Sequence, residues 1–267
     1  MIAAGAASLL LAWVLASGAT AQDGQGEGPA ELVIVRQGQD LLAYAQNRLQ
    51  GPVEVELSAI GPGGLSSEPA LPLRQLLPAG ARVLLARLRA QSPQARQELR
   101  LEGTPGEPRR MARDVVYSLP VEESRFALGQ GFHGGYSHGD EANRYAVDLI
   151  VAEGTAVLAA RPGVVMQAAS GFTEGGTDRS LAGRANLVRI LHDDGSMALY
   201  AHLQEGGVLV RAGDTVSLGQ VIGRAGSTGF SSGPHLHFAV QVNGGMRLVS
   251  IPFRMIGPDG FLRLRGD

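Results

Sequence analysis

From about residue 31 the chain runs in short stretches of alternating apolar and polar positions: "ELVIVR", "VEVELSAI", "RVLLARL" and "QELRLEG". Clusters of Gly, Pro and Ser separate them. Period-two alternation places apolar residues on one face of a strand, and strands at this spacing predict a small all-β unit, sandwich-like, over 31–117. The stretch "LRQLLPAGARVLLARL" (73–88) also admits a helical reading.

Near Phe126 the texture changes. The β runs lengthen to "YAVDLIV", "TAVLAARPGVVMQAA", "NLVRILHDDGSMALYAHL", "VLVRAGDTVSLGQVIGRAG" and "PHLHFAVQV", divided by turns at "RPG", "DDG", "AGD" and "NGG". No long amphipathic helix interrupts them, so residues 118–267 are predicted to form a mostly antiparallel β domain. Residues 170–185, "SGFTEGGTDRSLAGRA", make a long polar, Gly-rich insertion between two of those strands, of the kind that rims binding grooves. The first unit joins the second through "DVVYSLPVEESRFALGQGF" with little flexible linker. The two are therefore expected to pack together, with the first restricting access to the second's groove or positioning it.

Composition narrows the function. The 23 basic residues, all arginine, nearly balance 25 acidic ones, which argues against a nucleic-acid-binding surface. There are no cysteines, hence no disulfide, no thiolate metal ligand and no lipid-modified cysteine. The opening "MIAAGAASLLLAWVLASGATAQDG" carries an apolar run too short to span a bilayer, ending in small residues at Ala19 and Ala21. It reads as a secretory leader over 1–21, without the usual basic residue before the apolar run, followed by a polar tether over 22–30. No later segment reaches transmembrane length, so a secreted or periplasmic protein is expected.

All six histidines fall after residue 126. His235 and His237, at i and i+2 of a strand, share a face and can address one ligand. Asp148 interrupts an apolar run where an ionised carboxylate needs a cation or several donors. His138 lies ten residues earlier in "GYSHGDEANR", a loop able to fold back over it. These two with one histidine of "HLH" make a three-ligand set of the catalytic zinc type, which leaves a position open for water. His133 competes with His138 for the same role. His202 ends the strand "SMALYAHL", where alternation puts it on the face of Tyr200 and Ala198. His192 stands some 20 Å away at the other end of that strand and reads as a solvated turn residue.

Taken in order, "SH", "YAVDLIVAEGTAVLAARPGVV", "NLVRILHDDGSMALYAHL" and "GDTVSLGQVIGRAGSTGFSSGPHLHF" resemble the lysostaphin-type (LytM-like) zinc endopeptidases that cut the peptides of bacterial peptidoglycan. The resemblance covers about 126–245. It implies that His138, Asp148 and His237 bind Zn2+, that His202 and His235 are the catalytic histidines, and that peptidoglycan peptides are the substrate. Two departures stand out. The family's first motif usually has His and Asp four residues apart, and here that position is Arg144; the acidic residue that often follows "HLHF" is Ala239. A non-catalytic LytM-like domain that binds peptidoglycan or activates another hydrolase is the alternative. The "AGDTVSLGQVIG" turn also resembles biotinyl and lipoyl carriers, but those carry their group on lysine and this chain has none.

Overall fold

The computed structural model describes residues 14–18, 28–61, 63–92, 97–122 and 126–265. The expected leader and tether therefore lie largely outside the described residues. Within that stretch Val14–Gly18 is a strand lying parallel to Gln97–Pro105. The described chain is all-β, and its helical structure is a single 3₁₀ turn at Arg179–Leu181.

Residues 30–105, together with Val14–Gly18, form two four-stranded sheets. One runs in the order Ala30–Gln37, Asp40–Asn47, Arg82–Ala90, Leu65–Glu68, and the other in the order Val14–Gly18, Gln97–Pro105, Val53–Ile60, Leu73–Leu77. The alternation in Val53–Ile60 explains the layering. Val53, Val55 and Leu57 are fully buried and meet Leu88 and Leu99 in one core. The 73–88 stretch is two strands around a turn at 78–81, because Pro78 and Gly80, the latter at φ 62°, break any helix there.

The second half is built on a ten-stranded sheet. Its main order is Ala127–Gln130, Val147–Ile150, His235–Asn243, Met197–Val208, Asn186–Leu191, Gly163–Ala169, Thr215–Val216, all antiparallel. One face packs Tyr200, Phe238, Leu236 and Ile190 into a large core. The strand Val116–Ser118 crosses the boundary expected at 117/118, pairs in parallel with Arg254–Gly257, and buries Tyr117 in that same core.

The two halves pack together, but not where the sequence suggested. Met166, Met197, Leu191 and Leu248 of the second half join the core of the first. Glu54 accepts hydrogen bonds from Asn243 Nδ2 (2.9 Å) and Met246 N (2.8 Å). Arg113 pairs with Asp193, whose carboxylate also meets Arg161. Met197 and Asn243 occupy the ends of their strands opposite His202 and His237. Five and six residues at about 3.3 Å each separate them by some 16–20 Å. These contacts between the halves lie toward the strand ends away from His202 and His237. The sandwich seats on the far end because that is where the large sheet exposes apolar methionines and leucines for it to cover.

Candidate metal centre and active site

The strand pairing sets the site. Asp148 stands directly opposite His237, and Ile150 opposite His235, on adjacent antiparallel strands. Cross-strand partners point to one face, so Asp148 and His237 meet with Oδ1 2.9 Å from Nδ1. The "GGYSH" turn brings His138 over them, its Nε2 3.3 Å from the same Oδ1. His138, Asp148 and His237 offer ligand atoms that all lie within 4.8 Å of one another.

Two residues that the sequence reading missed complete this arrangement. Gln130 threads inside the turn, accepting from the backbone N of Tyr136 (2.9 Å) and donating to Asp148 Oδ2 (3.1 Å). A Cβ on Gly134 would lie 2.0 Å from the Gln130 Cγ, so only glycine leaves room for it. Asn143 places Oδ1 3.1 Å from His237 Nε2. Both carry ordinary polar side chains in a loop and at a strand end, and only the folded register brings them to the ligands.

The hydrogen bonds fix what each ring offers. A carbonyl oxygen only accepts, so His138 Nδ1–H donates to Gly131 O (2.9 Å) and its Nε2 lone pair faces Asp148. Neutral His138 and an ionised Asp148 therefore present lone pairs to each other, which is repulsive unless a cation lies between. Two imidazole nitrogens and one carboxylate oxygen suit zinc. Bonds of about 2.0–2.1 Å in a tetrahedron would separate ligand atoms by about 3.3 Å, close to the 2.9 and 3.3 Å that separate Asp148 Oδ1 from the two nitrogens. Asp148 draws positive charge to this point: burial opposes charge on His138, but the hydrogen bond and charge of Asp148 outweigh it and raise the histidine's pKa, so a proton competes with a metal for the ring. Burial likewise works against ionised Asp148, yet when the rings of His138 and His237 carry a second proton their bonds and charge hold its carboxyl well below the usual range.

His202 and His235 flank this trio. Their ring centroids are 4.7 Å apart, and His202 lies 5.7 Å from His237. His202 Nδ1–H donates to Thr228 O (2.7 Å) and His235 Nδ1–H to Gly233 O (2.8 Å), so both present Nε2 as a base. Burial, reinforced by the nearby His235 and His237, pushes His202 down to about 3. Burial also lowers His235, against the pull of Asp148. Both rings are therefore neutral near pH 7.

His202 did not arrive by simple alternation, which would have placed it on the core face with Tyr200 and Ala198. Leu187 pairs with Ala201 and Asn186 with Leu203, leaving His202 as the extra residue of a bulge with φ 62°. That left-handed residue swings the ring to the face of His237. His133 is exposed against Tyr145, and among the described residues it makes no approach to the trio. Arg144 is also exposed. His192 is remote from the site, as expected, but it is buried at 3% exposure rather than solvated, with Tyr117 packed edge-on against it.

Beside His235 an open groove is lined by Gln130, Tyr136, Asp148 and Ile150. Its rim holds the 170–185 segment. Gly175–Gly176 pairs with Gly229–Phe230, Phe230 stacks on Tyr136 at 5.6 Å, and Arg179 lies 5.4 Å over Phe230.

Residues 142–247 match Peptidase family M23. The chain carries an M23 peptidase domain. The match begins at residue 142, past His138. An uncharacterized metalloprotease of Haemophilus influenzae is 40% identical over 98 residues, 37% of this chain and 18% of that protein. Glycyl-glycine endopeptidase ALE-1 of Staphylococcus capitis is 36% identical over 122 residues, 45% of this chain and 30% of that protein. The solved catalytic domain of lysostaphin from Staphylococcus simulans shares 34% identity over 44% of this chain and 81% of that one, with a TM-score of 0.34. The M23 domain thus spans less than a third of the length of these two curated relatives.

Proposed function

We propose that this protein is a zinc-dependent endopeptidase that cleaves cross-links or stem peptides of bacterial peptidoglycan. His138 through Nε2, Asp148 through Oδ1 and His237 through Nδ1 hold the metal. When bound, zinc would polarise the scissile carbonyl and acidify a water. His202 and His235 are the catalytic pair, each with Nδ1 tied to a carbonyl and Nε2 free to take a proton from that water. The imidazolium so formed can donate to the carbonyl oxygen as it gains charge, or return the proton to the leaving amine. Peptidoglycan lies outside the cytoplasm, and residues 1–21 are the segment that would direct export.

What supports this reading is one arrangement. Five side chains from four separate stretches of sequence converge with every remote ring nitrogen or carboxylate oxygen hydrogen-bonded, inside an M23 domain whose relatives include a glycyl-glycine endopeptidase. The test is twofold: metal analysis of the purified protein, and mass spectrometry of fragments released from defined peptidoglycan. One equivalent of zinc with new peptide termini is the expected result. Zinc without cleavage of any peptidoglycan would overturn the enzymatic reading and leave a binding role.

A further inference from the structure

We propose that Asn143, oriented by Asp140, is a positioning residue that sets the tautomer of His237; this rests on the zinc reading above. The amide nitrogen Nδ2 of Asn143 lies 3.0 Å from both Asp140 carboxylate oxygens. A carboxylate only accepts, so the amide cannot be turned the other way, and Oδ1 must be the atom 3.1 Å from His237 Nε2. An amide oxygen also only accepts. His237 therefore carries its proton on Nε2 and directs the Nδ1 lone pair at the point where Asp148 Oδ1 and His138 Nε2 converge.

The device is built locally. Asp140 Oδ1 also accepts from the backbone N of Asn143 (2.9 Å), and Asp140 O accepts from Arg144 N (2.9 Å), which closes a tight turn over "DEANR". Gln241 Nε2 donates to Ala142 O (2.9 Å) and anchors that turn on the strand that carries His237. The turn swings Arg144, in the position where the resembled family usually has its first histidine, out to solvent, and points its neighbour Asn143 inward. The chain thus uses this segment to hold a ligand's far side, while the ligand comes from His138. Partners of this kind act on metal affinity without touching the metal.

The experiment measures zinc affinity in the full-length protein by competition with a chromophoric chelator. Asn143→Leu keeps the shape but removes the acceptor and should weaken zinc binding about 10- to 100-fold. Asp140→Ala, at an exposed position, should weaken it in the same direction by freeing the amide to turn. The double variant should be no weaker than Asn143→Leu alone, since both act through one contact. In the zinc-loaded protein, imidazole NMR should show a hydrogen-bonded His237 Nε2–H that exchanges slowly with solvent in the parent and faster in either variant. Parent-like affinity in Asn143→Leu, or strictly additive losses, would overturn the positioning role. If Asn143→Leu does not fold, Asp140→Ala with the NMR readout decides alone. A His237→Ala variant that keeps its zinc would instead overturn the zinc reading itself, and this inference with it.

Discussion

His202 and His237 face one another with ring centroids 5.7 Å apart, although strict alternation on their two strands would send them to opposite sides of the sheet. His237 pairs with Ala201, so the residue after Ala201 belongs on the other face. The bulge at His202 reverses that. A non-glycine residue in the left-handed region costs about 1–2 kcal/mol, and it persists here because Thr228 O and the paired strands hold it. If His202 and His235 are the proton-transfer pair, His202→Ala and His235→Ala will retain zinc and fold while losing about 10²- to 10⁴-fold in peptidoglycan cleavage. Cleavage at the parent rate by both variants would remove them from the mechanism.

The proposed metal ligands make a separate, sharper prediction. His237→Ala and His138→Ala lose stoichiometric zinc, because either leaves only two protein ligands. His133→Ala keeps it, since that ring sits exposed against Tyr145. Elemental analysis after gel filtration distinguishes these outcomes, and zinc loss in His133→Ala alone would reassign the first ligand.

Gly229 follows Thr228, whose carbonyl accepts from the His202 ring. It adopts φ 80°, and a Cβ there would lie 2.8 Å from the Ala185 Cβ and 3.0 Å from its backbone N. Gly229→Ala must therefore shift the adjoining Thr228, whose carbonyl holds the His202 ring. The expected result is a melting temperature lower by several degrees together with a fall in kcat. An unchanged kcat in a destabilised variant would show that the Thr228 contact does not orient the ring for catalysis.

Burial lowers His192 from its ordinary 6.5 to about 4, against the raising effect of its bond to Pro162 O. Its Nε2 is buried with no hydrogen-bond partner. The unfolded chain takes up this proton near pH 6.5 and the folded chain only near pH 4. The stability associated with neutral His192 is thus complete above 6.5 and is lost as the pH falls toward 4, on the order of a few kcal/mol. His192→Asn, which preserves a donor toward Pro162, should lose less stability than the parent between pH 7 and 4.5 in chemical denaturation. Equal losses would show that other groups govern the acid limb.

Glu54 tests what the sandwich does. It is 8% exposed and accepts from Asn243 and Met246. Glu54→Ala leaves Met246 N without that acceptor and Asn243 Nδ2 with only Gly106 O, and should cost about 1–3 kcal/mol in stability. KM for a small soluble peptide should not change, because the contact lies at the far end of the sheet from His202. A raised KM with unchanged stability would mean that the sandwich shapes the groove after all.

The sequence by itself determined the β character of both halves, because period-two alternation and turn residues are local signals. It also picked out Asp148, which breaks an apolar run, and the adjacent pair His235 and His237, whose shared face follows from strand geometry alone. Tertiary structure decided the rest. Gln130 and Asn143 reach the site only through strand register and a closed turn. His202 reaches it through a bulge that alternation cannot foresee, since the extra residue is defined by its pairing with Asn186 and Leu187 on another strand. His138 rather than His133 meets Asp148 because the "GGYSH" turn folds around Gln130. The sandwich's place at the far end likewise depended on where the folded sheet left Met166 and Met197 to be covered, a property of a surface that exists only once distant strands have paired.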